Sequence, residues 1–132
     1  MRSLILDYLN NNTVTGFTVS SNLPYDQNGN PLYFQNFKTL YVAEPITDQE
    51  PLFDTLDNMA LVEETTTVDI FVVCDAKTKP SNYDTLVSTV KGVRTAVTID
   101  GYTAKNVQVQ TSITNDNLVT QFVLQYTKVL NT

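Results

Sequence analysis

The stretch Thr67–Cys74, TVDIFVVC, decides the fold class of this sequence. On one side of the stretch, Asp69 is followed by Phe71 and Val73, so this side becomes apolar toward its end. On the other side every position is apolar: Val68, Ile70, Val72 and Cys74. This alternation has the period of a β-strand. A strand with two apolar faces is typical of the centre of a covered sheet. We therefore expect a central, doubly covered strand here.

A long amphipathic helix is predicted directly after this strand, over Pro80–Val97. Its apolar side chains recur at helical spacing and form one stripe: Tyr83, Leu86, Val87, Val90, Val93 and Val97. Ser81 is followed three residues later by Asp84, a pattern that resembles a capping box. Gly92 lies in the middle, where glycine costs about 1 kcal/mol relative to alanine. Its presence favours a close approach of the helix to the sheet.

The N-terminal third predicts one short helix and two strands. The helix covers residues 3–12, because Leu4, Ile5, Tyr8 and Leu9 share one face. Thr15–Ser21 and Phe37–Ala43 alternate as strands do. Turn-forming residues fill Pro24–Pro31 between them, so these two strands are expected to pair antiparallel.

The C-terminal third predicts a hairpin. Asp100-Gly101 is a turn signal, and Lys105–Ile113 then alternates as a strand. Asn115-Asp116-Asn117 turns the chain into a long last strand, Leu118–Leu130.

The resulting order is α-β-β-β-α-β-β, which predicts the α+β class. We expect a mostly antiparallel sheet with one main helix packed on it. The chain has 132 residues, a length typical of one domain, so residues 1–132 are expected to share a single core.

The segment Glu44–Asn58 is expected to be an irregular loop, because Pro45 and Pro51 oppose regular structure. Loops of this length in a compact domain are usually functional or disordered. The carboxylates of Glu44–Asn58 are the candidate interaction residues of the sequence: Glu44, Asp48, Glu50, Asp54 and Asp57. A solvated surface loop without a partner is the alternative interpretation.

Composition excludes several kinds of chemistry. The chain has no histidine and one cysteine, so it has no Ser-His-Asp triad, no Cys-His pair and no zinc site of the usual kind. Cys74 lies in an apolar run and is expected to pack in the core. No glycine-rich phosphate loop and no calcium-loop spacing occurs. We therefore expect no catalytic residue, no cofactor and no metal, and we predict that the protein is not an enzyme.

Charge and hydropathy exclude other classes. Eight basic and 14 acidic residues give a net charge of −6, and the basic residues are scattered, which argues against a protein held by nucleic-acid phosphates. The apolar run in Met1–Asp7 is too short for a signal peptide, and no stretch is long enough to cross a membrane. The sequence indicates a soluble protein of a reducing compartment.

The order of parts resembles one known family. Val68–Asp75 leads through a loop to the helix Tyr83–Val97, and a closing hairpin ends in Phe122–Thr127. This arrangement looks like the lambda-type tail terminator (tail completion) proteins of long-tailed bacteriophages. They also have an N-terminal helix, strands, an acidic loop and a last strand that ends in an aromatic residue. The similarity is one of pattern and covers residues 37–130. The N-terminal helix is shorter here, and the turn Pro24–Pro31 has no obvious counterpart.

The resemblance implies a structural protein of the virion, assembled in the host cytoplasm. Such proteins form a ring, typically a hexamer, that caps the tail tube and joins it to the head. The implied partners are other copies of the chain, the tail tube protein and the head–tail connector protein. The acidic residues of Glu44–Asp57 are the candidates for a contact within the ring or with the tube, or for the channel lining. Genomic DNA would pass through the channel without specific binding, and no membrane is involved. The negative charge suits such a channel, although it also suits ordinary solubility.

Two alternatives stay open at this point. One is a neighbouring structural role in the virion: a head–tail connector, a tail tube subunit or a baseplate protein. The other is a small cellular module whose sheet binds a ligand or a peptide.

Overall fold

The computed structural model describes residues 1–12, 14–20, 28, 39–54, 60–75, 81–114 and 117–131. These residues form three helices and seven strands: α1 (Arg2–Asn11), β1 (Thr18–Ser20), β2 (Thr39–Val42), β3 (Ile46–Asp54), β4 (Ala60–Asp75), α2 (Tyr83–Lys91), α3 (Val93–Ala96), β5 (Thr103–Ala104), β6 (Gln108–Thr114) and β7 (Asn117–Asn131). The α+β class and the mostly antiparallel sheet are confirmed. The predicted order α-β-β-β-α-β-β is wrong in detail, since it lacks β3 and β5 and joins α2 to α3.

All seven of these strands belong to one sheet, with β4 at its centre. β7 pairs antiparallel with β4 along the whole strand, from Leu61 opposite Asn131 to Asp75 opposite Asn117. On the other side of β4, β2 pairs with its C-terminal part and β3 with its N-terminal part. β1 lies outside β2, while β5 and β6 lie outside β7. The central position of Thr67–Cys74 and the hairpin of β6 and β7 are therefore confirmed.

β1 and β2 pair parallel, with Thr18 opposite Thr39. The predicted antiparallel pairing is wrong, because that prediction treated the connection as a hairpin turn. Parallel neighbours need a crossover of about a dozen residues or more. Residues 21–38 separate the two strands and are long enough for such a crossover. The turn predicted over Pro24–Pro31 lies outside the described residues, apart from Asn28.

β3 occupies most of the segment that was predicted to be an irregular loop. A proline is tolerated in this strand because β3 lies at the edge of the sheet, where one side of its backbone has no partner strand among the described residues. The register with β4 shifts between Pro51 and Phe53, as at a β-bulge. Pro45 directly precedes the strand, a position that proline also tolerates.

The helices cover one face of the sheet, and the core lies between them. This helix-covered face takes the even-numbered residues of β4 and β7, as the alternation predicts. Cys74 is buried there, in agreement with its predicted role in the core. Val73 points to the opposite face and is also buried, which confirms that β4 is covered on both faces toward its end. The fully buried side chains of the core include Ile5, Leu9, Val68, Ile70, Val72, Leu86, Val90, Phe122, Leu124 and Tyr126.

The predicted single helix is divided at Gly92 into α2 and the four-residue α3. A β-carbon added at Gly92 would lie 3.1 Å from the Tyr8 hydroxyl. The close approach at this glycine is therefore to α1 and not, as predicted, to the sheet.

The N-cap of α2 is Asn82 rather than part of a capping box at Ser81. The Asn82 amide donates a hydrogen bond to the carbonyl of Thr15 instead of capping its own helix. The start of α2 is thus attached to the segment that leads into β1, and the predicted capping box is wrong.

Candidate interaction surface

The face of the sheet opposite the helices, here called the second face, is rich in uncharged polar side chains. Gln108 and Gln110 of β6 are exposed on it, and Gln121 and Gln125 of β7 are half-buried. Tyr41 of β2 is buried on this face, opposite Phe71 of β4. Amide and hydroxyl side chains of this kind suit contacts with another protein, since they lose less on desolvation than charges do.

Glu44, the first of the predicted interaction residues, follows β2 and is tied to the first helix. Its carboxylate forms an ion pair with the Arg2 guanidinium. Arg2 also donates a hydrogen bond of 2.8 Å to the carbonyl of Val42. Glu44 therefore attaches the start of α1 to the end of β2. It is separate from the acidic residues of β3.

Asp48 and Glu50 are brought together by β3. Both are exposed on the second face, where Asp48 lies opposite Thr65 of β4. Asp54 is the last residue of β3, and nothing is described of its side chain; Asp57 lies outside the described residues. Part of the predicted acidic loop is therefore the strand β3, which carries exposed carboxylates at the edge of the sheet.

A third carboxylate, Glu63 of β4, lies next to this edge and was not predicted from the sequence. It lies directly opposite Glu50 in the register of β3 and β4. Like charges directly opposite each other destabilise a sheet. Neither Glu50 nor Glu63 forms an ion pair with a described residue. The chain therefore carries a repulsive pair at this edge that its own described residues do not neutralise.

Asp69 lies on the second face at the centre of β4, opposite Val123 of β7. Burial raises the pKa of its carboxyl group, and a hydrogen bond from Gln121 partly opposes this rise. Burial disfavours the charged form because the carboxylate loses its hydration. The charged form of Asp69 is therefore costly in this position.

A polar cluster around Glu64 lies on the helix-covered side of the sheet, at the level of Asp48 and Glu50. The Glu64 carboxylate accepts hydrogen bonds from the Tyr102 hydroxyl at 2.5 Å and from the Gln49 amide at 3.1 Å. The Lys128 ammonium lies 3.3 Å from Glu64 and 4.5 Å from the centre of the Tyr102 ring. The cluster links β3, β4 and β7 to the segment before β5.

The cluster shifts the titration of both of its charged members. The hydrogen bond from Tyr102, followed by that from Gln49, holds the pKa of Glu64 below its usual value of 4.5. Interactions with Tyr102 and then with Glu64 raise the pKa of Lys128. Both shifts favour the charged forms of the pair.

We expect Glu64→Gln to change how stability depends on pH. Because the folded-state pKa of Glu64 is lowered, its charge contributes stability above about pH 4.5, and this contribution is lost as the pH falls through the folded value. The wild type should therefore be the more stable protein near pH 7, and the two should converge on acidification. Urea unfolding from about pH 7 to about pH 3 measures this difference.

Glu63→Gln is the matched control, since it removes a carboxylate from the neighbouring position on the other face. Because Glu63 faces Glu50, Glu63→Gln removes a repulsion between like charges and should not lower stability near pH 7. Parallel pH curves for Glu64→Gln and the wild type would contradict the assigned cluster.

Two open clefts adjoin the described residues. One, of about 430 Å³, lies between the end of α1 and the start of α2 and is lined by neutral side chains. The other, of about 390 Å³, lies at the break between β5 and β6 and is lined by Arg94, Lys105, Asn106, Gln108 and Gln125. The second cleft is basic and lies at the edge of the sheet opposite β3.

Within the described ranges, no group of three or more histidine, cysteine or acidic residues is placed to hold a metal ion. Nor does any helix described there have the length and apolar character required to cross a bilayer. The sequence matches no protein-family model and no curated protein.

Proposed function

We propose that this protein is a structural subunit of a bacteriophage tail. Copies of it form a ring that caps the tail tube and joins the tube to the head. One observation carries the proposal: a single sheet has helices on one face and edges at both sides that pair with no described strand. Such a sheet is suited to closure by repetition. Head-to-tail contact between the two edges of successive copies closes a ring when the rotation per copy allows it.

The distribution of polar side chains supports a channel lined by the second face. With the helices outward, the second face turns toward the axis, and the glutamines of β6 and β7 and the carboxylate of Glu63 lie on it, while Asp48 and Glu50 lie at its edge. Negative and uncharged groups repel or ignore phosphate, so DNA passes without binding. The partners of this ring are the tail tube protein on one side and the head–tail connector on the other.

Native mass spectrometry and electron microscopy of the purified protein test this proposal. We expect a closed ring, six copies being the number implied by the family resemblance, either alone or after mixing with tail tubes. A protein that stays strictly monomeric at high concentration and ignores tail tubes would overturn it.

The position in the virion separates a terminator from the neighbouring structural roles. A gold label on the protein is expected at the head-proximal end of the tail tube. Label along the tube, or at the baseplate, would assign the protein to one of those roles instead.

A further inference from the structure

The two edges of the sheet carry opposite charges. At the β3 edge, the exposed carboxylates of Asp48 and Glu50 form no ion pair with any described residue. At the other edge, Arg94 and Lys105 are exposed and line the 390 Å³ cleft, with no described carboxylate paired to either. Within the described chain, each edge thus has charges that the protein itself leaves unneutralised.

These charges also lie at the same level of the sheet. Asp48, Thr65, Thr127 and Thr103 form one row across β3, β4, β7 and β5. Lys105 follows Thr103 by two residues and so faces the same side; its backbone N–H donates a hydrogen bond to the carbonyl of Gln125. A stagger of two residues between copies would therefore bring Asp48 beside Lys105. Closing a sheet into a barrel requires a stagger of this kind.

We propose that the β3 edge of one copy docks against the Arg94–Lys105 cleft of the next copy, with Asp48 contacting Lys105. The inference rests on the proposed ring and assigns its subunit contact. Opposite charges at the two edges favour a head-to-tail contact, while like edges repel each other. Two basic residues are too few for a nucleic-acid stripe, and the net charge of −6 opposes one, so a second copy is the occupant.

Two charge reversals test this contact in the full-length protein. Asp48→Lys places like charges at the contact, and so does Lys105→Glu. Each variant alone should raise the concentration needed for half-assembly by about tenfold or more. Both residues are exposed, so circular dichroism and melting temperature should stay close to those of the wild type.

Mixing the two variants gives the decisive result. In alternating rings, the lysine introduced by Asp48→Lys would face the glutamate introduced by Lys105→Glu, and the native Asp48 and Lys105 would meet at the next contact. We therefore expect the mixture to regain rings of even number, seen as mixed masses in native mass spectrometry. Lys91→Glu, an exposed residue of α2 outside the cleft, changes the net charge as Lys105→Glu does and should assemble normally.

The outcomes separate this contact from the ring itself. If the wild type forms rings and both reversals assemble as it does, the assigned contact is wrong while the ring stands. If Lys105→Glu forms rings but no longer binds tail tubes, the cleft holds the tube protein and the inference is overturned. If the wild type forms no ring, alone or on tail tubes, the proposed function fails and this contact fails with it.

Discussion

Replacing Phe122 with alanine is expected to lower the free energy of unfolding by about 3–5 kcal/mol, because the substitution leaves a cavity in the core. Phe122 is fully buried on the helix-covered face of β7. Its neighbours across the sheet are Ile70 of β4 and Val109 of β6. Domains are stable by only about 5–15 kcal/mol, so this loss is a large part of the total.

Urea unfolding and thermal melting measure the effect, with an expected fall in the melting temperature of roughly 10–20 °C. Phe71→Ala is the matched control. Phe71 is a neighbour of Ile70 in β4 but faces the second face, where it is half-buried. Truncating it should cost less, about 1–2 kcal/mol, because part of the ring already contacts solvent. Equal losses for the two variants, measured on monomers, would contradict the assignment of the two faces.

The elements with the strongest hydrophobic period were predictable from the sequence. The alternation in Thr67–Cys74 and Leu118–Leu130 identified β4 and β7, and the i, i+3, i+4 stripe identified α1 and, as one continuous helix, α2 with α3. These patterns report local burial, which follows from which side of an element faces the core. The hairpin was predictable for a further reason: its two strands are adjacent in the sequence.

The edge strands were harder to predict, because their structure depends on distant partners. Pro51 argues against a strand in general, but it is compatible with β3 at the edge, and only the sheet order shows that β3 is an edge. The parallel pairing of β1 with β2 likewise depends on a long connection rather than on a turn motif. Local propensity holds no information on such placements.

The candidate surface depends on register and therefore could be predicted only in part. The acidic residues of β3 were recognised by composition, but the partner of Glu50 was not. Glu63 and Glu64 are adjacent in sequence, yet one faces Glu50 and the other joins Tyr102 and Lys128 on the opposite side of the sheet. A shift of one residue in the register of β3 against β4 would instead bring Glu64 opposite Glu50. Sequence supplied the charge, and the pairing of β3 with β4 supplied its arrangement.

A buried hydrogen bond between the start of α2 and the sheet is expected to couple two further substitutions. The hydroxyl groups of Tyr83 and Thr120 lie 2.5 Å apart. Thr120 is fully buried in β7, opposite Val72 of the central strand. Tyr83→Phe removes the hydrogen-bond partner of Thr120. We expect the free energy of unfolding to fall by about 1–3 kcal/mol, because the buried Thr120 hydroxyl then stays desolvated without this hydrogen bond.

The double variant Tyr83→Phe/Thr120→Val should be more stable than the sum of the two single losses indicates. In Thr120→Val the methyl group fills nearly the volume of the hydroxyl, so the main effect is the loss of the hydrogen bond to Tyr83. With both hydroxyls removed, the loss of this one hydrogen bond is counted once rather than twice. Urea unfolding of the four proteins gives the coupling free energy, which we expect to be about 1 kcal/mol. Strictly additive losses would mean that this hydrogen bond does not hold α2 to the sheet, and that apolar packing of Leu86 and Val90 on the core is sufficient.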